Sequence, residues 1–392
     1  MSKELQFDIA TLSAMCLAMS VLVACTRVPS PNTAPTATVP TGVDFTLPAP
    51  VYFLRAGQIW RLARDGATRQ QITREASPIT DFDVSAADGA LVYVTDNRLI
   101  HTDAHGGRRQ VLVAGPALTP AEDDLASLND KSHIIGKVAA PRWSPDGDRI
   151  AYIQNGLNVM SISNGQVQTV HQNGRIPEQS ESGAEGPLLF MGVIAWSPDG
   201  LHLLAEVYRY PLASLFDRLV GLKHFSDGSL ETFHCVFCHL AWTADSQVFY
   251  TANPSMGGVG ALGRHDIATG QRTLIGLDVP ARSAYFYAYP HAPNQDEVYV
   301  FMASSASPAE PPAAFKMYKV RADGYGTTPL RGDDHPIQTA LWARDGSGAL
   351  IVTSSASDEI QADRLVWLPV DGSPAIALPV TGLRTLRWGA DI

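Results

Sequence analysis

The stretch Phe233–His239 reads FHCVFCH. It holds the spacing Cys235-x-x-Cys238-His239, the pattern that attaches haem c: two thiols add to the vinyl groups and the histidine ligates iron. Four readings of it compete. A Cys235–Cys238 disulfide needs only compatible loop geometry and an oxidising compartment, where thiols seldom stay free. Haem c, with His234, Met191 or Met256 as candidates for the sixth ligand, would make the chain an electron-transfer protein. Zinc would use both thiolates and a flanking histidine, but the second distant ligand pair of structural zinc sites is missing. Buried inert thiols are the fourth reading.

Acidic residues gather in three long stretches. Gly115–Lys137 holds Glu122, Asp123, Asp124, Asp130 and His133, and Asn173–Gly192 holds Glu178, Glu181 and Glu185. A third holds Asp333, Asp334 and His335. The bland reading is a solvated acidic rim; the sharper one is a binding face for a cationic peptide or protein. No tight metal-ligand spacing of the EF-hand kind is present, so no metal site is assigned. Arg331-Gly332-Asp333 spells an adhesion tripeptide, a match too short to carry meaning. Gly-x-Ser-x-Gly, the nucleophile elbow of serine hydrolases, is absent. The chain therefore reads as a non-enzyme. Lactonase or lyase chemistry around His133, His291 or His335 is the weaker alternative, because no convergent acid, base and metal set is visible. A formal net charge of −10 argues against nucleic acid and against docking on anionic headgroups.

The N-terminus supplies an address. Ile9–Ala24 is an apolar run of 16 residues, short of the ~20 that span a bilayer, and it reads as an export signal. It ends in Leu22-Val23-Ala24-Cys25, which resembles the lipobox of bacterial lipoproteins. That resemblance implies cleavage before Cys25 and acylation there; an uncleaved membrane anchor is the alternative. Lys3 is offset by Glu4 and Asp8, a weakly basic start for such a signal. The Pro/Thr-rich, nearly uncharged segment that follows cannot bury enough apolar surface to fold and reads as a tether. The expected organisation is a signal peptide at 1–24, a tether at 25–49 and one folded domain at 50–392, outside the cytoplasm and held to membrane lipid.

The folded part is built from short β-branched and aromatic runs between turn signals, which points to an all-β repeat. One unit is explicit at Pro141–Ile153 (PRWSPDGDRIAYI) and Ile194–Val207 (IAWSPDGLHLLAEV). Weaker copies begin at Phe82, Leu240, Tyr287 and Ala340, and the chain ends on LRWGADI, Leu386–Ile392. Pro presets the first corner of a tight turn, Asp caps it and Gly takes the positive φ that follows. A second series of turns interleaves: Asp65-Gly66, His105-Gly106, Asn164-Gly165, Asp227-Gly228, Thr269-Gly270, Asp323-Gly324 and Asp371-Gly372. Seven of each predicts a β-propeller of seven four-stranded blades; six is the alternative if the Tyr287 unit is not a blade. The N-terminal strands lack an innermost partner, which Leu383–Ala390 can supply, closing the ring and removing an open edge.

These units resemble the WD-repeat-like repeats of TolB-like bacterial propellers over nearly all of Val51–Ile392. The resemblance implies a binding platform more than a chemistry, since such propellers also serve as enzyme gates and scaffolds. The expectation is a monomeric, lipid-anchored, non-catalytic scaffold of the cell envelope, without cofactor, whose loop face takes a protein or peptide partner. Redox chemistry at Cys235, Cys238 and His239 is its rival. The loop face is the side where the outermost strand of one blade crosses to the innermost strand of the next. On this alignment the cysteine pair lies there, at the entry to an inner strand.

Overall fold

The computed structural model describes residues 45–118, 135–174, 186–212, 218–235, 238–253, 261–276, 284–305, 314–353 and 363–390. All of them fall in one compact unit, Ala37–Ile392. Cys25, Glu122, Asp123, Asp124, Asp130 and His133, and Glu178, Glu181 and Glu185, lie outside the described residues.

Among the described residues, twenty-eight strands form seven antiparallel sheets of four. Six blades run inside to outside in chain order, and their inner strands are Ile79–Val84, Ala139–Trp143, Leu188–Trp196, His239–Trp242, Ala284–His291 and Ile337–Trp342 (blades 2 to 7). Blade 1 is composite. Its inner strand is Leu383–Trp388, and the next three come from the other end of the chain: Val51–Arg55, Gln58–Leu62 and Arg69–Gln71. Val51 pairs with Trp388 and Phe53 with Leu386. The Tyr287 unit is a full blade, so the count is seven and not six. The last of the residues read as tether join the fold. Leu47 and Ala49 are buried, and the Leu47 N–H bonds the Arg64 carbonyl at 2.7 Å. Phe45 packs beside them, removing from water apolar surface that a free tether would leave exposed.

The repeat motif closes each inner hairpin through a residue whose role the motif did not disclose. The Ser144 hydroxyl donates to Asp146 (2.5 Å) and accepts the Arg149 N–H (2.9 Å), while Gly147, at φ +74°, donates to the Ser144 carbonyl. Ser197 and Thr243 repeat this with Asp199 and Asp245. These turns also link blades: Gln295 donates to Asp245 (2.5 Å) and the Asp199 N–H to Ser246 (2.9 Å).

Five of the seven inner strands end in tryptophan: Trp143, Trp196, Trp242, Trp342 and Trp388. Each lies between its own sheet and a neighbour. The Trp388 indole N–H donates to the Trp342 carbonyl and the Trp342 N–H to the Tyr289 carbonyl, both at 2.6 Å, and the Trp196 N–H reaches the Arg142 carbonyl at 3.2 Å. The core is accordingly a series of interblade layers. One of them joins Leu350, Val352 and Trp367 of blade 7 to Val51, Phe53 and Trp388 of blade 1.

Trp388→Phe keeps most of the packing but strands a buried carbonyl, and should cost ~1–3 kcal/mol. Trp388→Ala also opens a cavity at the ring closure and should cost ~3–5 kcal/mol. Urea denaturation of the two variants checks the order; a Trp388→Phe variant as stable as the parent would mean that the hydrogen bond contributes nothing.

Candidate functional site

Cys235 and Cys238 form a disulfide, with a Cα–Cα distance of 5.5 Å, on the connection between blades 4 and 5. In that state neither sulfur is free to bond a haem vinyl carbon or to act as a thiolate ligand. His239 starts the inner strand of blade 5, its ring centroid 3.8 Å from that of Tyr289, and its buried Nδ1 has no hydrogen-bond partner. Burial favours the neutral imidazole and pushes its pKa down to about 4. No group of three or more His, Cys, Asp and Glu that could hold a metal ion occurs among the described residues.

The acidic stretch at Asp333 has a partner within the fold. Arg331 is buried and grips Asp333 through two bonds of 2.9 Å, while its Nη1 donates to the carbonyls of Pro369 and Ser373 in blade 7. His335 Nε2 lies 2.7 Å from Asp333 Oδ2, the oxygen that Arg331 Nη2 also reaches, and Lys316 lies 3.7 Å from Asp334. Burial raises the Asp333 pKa, but Arg331 and His335 outweigh it and hold the carboxyl down to about 2. Asp333 and His335, read from the sequence as binding-face residues, thus take part in a clamp between blades 6 and 7. The reason is local: a buried guanidinium two residues away demands a carboxylate. His291 belongs elsewhere too. It ends the inner strand of blade 6 and stacks on Trp342 with centroids 5.6 Å apart.

A different constellation sits at the centre of the ring. Inner strands of blades 1, 2, 3 and 7 frame a cavity of about 670 Å³ lined by Asp81, Arg142, Gln338, Thr339, Thr385, Arg384 and Arg387, with Asp363 at blade 7. Arg142 bonds Asp81 at 2.9 Å, Arg387 lies 3.2 Å from Asp83 and 3.8 Å from Asp81, and Asp83 also accepts the Trp143 N–H at 2.8 Å. Burial pushes the Asp83 carboxyl up, against the pull of Arg387 and then Arg142. Two arginines and two aspartates from three blades therefore form a neutral network beside the cavity. Such a network fixes charges in place for a ligand and offers no free base. The sequence held one signal for it: Arg142 and Arg387 both stand directly before the tryptophan that ends their strand, in PRWSPDG and LRWGADI.

The cavity extends to the loop face. Gln338, Arg384 and Thr385 are at the starts of inner strands, and Val352 and Asp363 flank the connection from the second to the third strand of blade 7.

A closed seven-bladed propeller with a charged channel mouth is the class of protein that fold and site define. No protein-family model matches the chain, and no curated protein does. Among solved structures it is similar to an oligogalacturonate lyase in complex with manganese (11% identity, TM-score 0.53, 83% of this chain and 82% of that one). It is also similar to TolB from Acinetobacter baumannii (12%, 0.42, 85% and 79%). A third is Porphyromonas gingivalis dipeptidyl peptidase 4 (11%, 0.50, 83% of this chain but 48% of that one). At these identities the likeness is one of fold.

Three histidines give the domain an acid edge. Burial pushes His239, His265 and His291 down to about 4 from an ordinary 6.5, with Asp345 pulling His291 back slightly. Each is neutral in the fold and more readily protonated once unfolded. The stability this represents is complete above pH 6.5 and is lost as pH falls toward 4. Urea midpoints should decline across that window, and His265→Phe, which keeps the stack on Phe249 (4.4 Å between centroids), should flatten the decline. A midpoint that does not move between pH 6.5 and 4 would contradict it.

Proposed function

We propose that this protein is an extracytoplasmic propeller, lipid-anchored through Cys25, that works as a monomeric, non-catalytic scaffold in the cell envelope. The loop face and the channel mouth bind its partner or ligand. One observation carries the reading: the cavity reaches the side where the longest connections join the strands, and the Arg142 and Arg387 charges beside it are held by Asp81 and Asp83. The disulfide between blades fits an oxidising compartment, in keeping with an exported chain.

Affinity purification of the anchored protein should recover a stoichiometric partner, and shortening the Gly115–Lys137 connection should release it. Recovery of every partner by the shortened form would refute the assignment of the face. Cys25→Ser should shift the chain from the membrane fraction to the soluble one; unchanged partitioning would remove the lipid anchor. A mass spectrum of the mature protein reports acylation at Cys25, and it distinguishes the two-proton loss of a disulfide from the added mass of haem c at Cys235 and Cys238.

A further inference from the structure

The charges that line the channel mouth do not all find partners. Arg142 and Arg387 are balanced by Asp81 and Asp83, and that network is neutral by itself. Two charged side chains remain on the wall of the same cavity, Arg384 in blade 1 and Asp363 in blade 7. Neither makes an ion pair among the described residues, with each other or with anything else.

The backbone aims Arg384 there at a local cost. In a regular strand, Arg384 and Arg387 would point to opposite faces, because side chains alternate. A bulge at Thr385 breaks the alternation: the pairing with Val51–Arg55 shifts register between Phe53 and Leu54, and Thr385 adopts φ +48°. A β-branched residue is strained in that region. The shift lets Leu383, Leu386 and Trp388 all stay buried while Arg384 and Arg387 both line the cavity. Bulges of this kind re-aim side chains and cluster near functional sites. Blade 3 repeats it: Ala140, at φ +50°, precedes Arg142 with the same spacing as Thr385 precedes Arg387.

We propose that the channel mouth is a site for a small zwitterion of amino-acid type, whose carboxylate pairs with Arg384 and whose ammonium pairs with Asp363. Gln338, Thr339 and Thr385 supply neutral polar contacts between them. A guanidinium receives a carboxylate through two parallel N–H donors, and a carboxylate receives an ammonium. A cavity of this size holds such a ligand easily. A doubly charged anion fits less well, since it would leave Asp363 facing like charge across the same space. This site rests on the reading of the protein as a binding scaffold and goes further in naming what the channel takes.

The test is calorimetry on the purified full-length chain with 6-aminohexanoate, its singly charged halves hexanoate and hexylamine, and glycine and triglycine. Glycine, 6-aminohexanoate and triglycine differ in the separation of their end charges, so their order shows whether the ligand is a single amino acid or a longer molecule with charged ends. At least one zwitterion should bind ten or more times tighter than either half. Arg384→Gln should reduce it to the level of hexylamine, and Asp363→Asn to the level of hexanoate. The exposed Arg98→Gln, outside the cavity, should change nothing. Arg384 is itself exposed, so unchanged thermal unfolding of R384Q confirms that the loss is local. The proposal falls if no zwitterion binds by about 10 mM, well beyond ordinary ligand affinities, or if hexanoate binds as tightly. It also falls if R384Q and D363N bind like the unmodified chain. Loss of this site with the partner still captured on the loop face would leave the scaffold reading intact.

Discussion

Closure of the ring is the constraint from which the rest follows. A four-stranded blade cannot bury both of its faces alone, and each layer of the core exists only because a neighbour supplies the opposite side. The pairing of Leu383–Trp388 with Val51–Arg55 brings the two ends of the folded chain together. It turns an open stack with an exposed inner edge into a closed one. Trp388 lies at this seam, packed against blades 1 and 7 and bonded to the Trp342 carbonyl. The same seam places Arg384 and Arg387 at the channel, so the interaction that completes the fold also completes the candidate site.

The charged network shows how the ring makes chemistry that no blade contains. Asp81 and Asp83 come from blade 2, Arg142 from blade 3 and Arg387 from the composite blade 1. Isolated in a blade, each would be a partly buried charge with a heavy desolvation cost. Brought together they cancel, and the cavity beside them is left with a framework of fixed charge. The Arg331–Asp333–His335 clamp between blades 6 and 7 follows the same physics at the periphery. There the pairing consumes residues that, in a list of acidic positions, look available to a partner.

Most of the architecture was legible in the residues. Seven motif copies, the last of them the terminal LRW, and seven interleaved turns predicted the blade number and the way the ring closes, because turn chemistry and strand alternation are local and survive in a single chain. The residues just before the expected domain start join the fold, since Leu47 is buried in, and Phe45 packs against, a core that composition alone cannot see. The hydroxyl of Ser144 and its counterparts was visible in the motif, but its bridging role needs the hairpin geometry to be recognised.

What the sequence determined by itself was therefore the repeat, its turns, the closing strand and the cysteine spacing, all set by short-range rules. Only the tertiary structure decided that Cys235 and Cys238 are bonded to each other, that Asp333 faces an arginine, and that Arg142, Arg384 and Arg387 share one wall of a channel. Arg142 and Arg387 are 245 positions apart in the chain. They meet because the closing strand belongs to blade 1, so that blades 1 and 3 flank blade 2 and both arginines reach its Asp81, and bulges at Ala140 and Thr385 interrupt the two strands just before them. Neither cause leaves a local mark strong enough to be read from residue order.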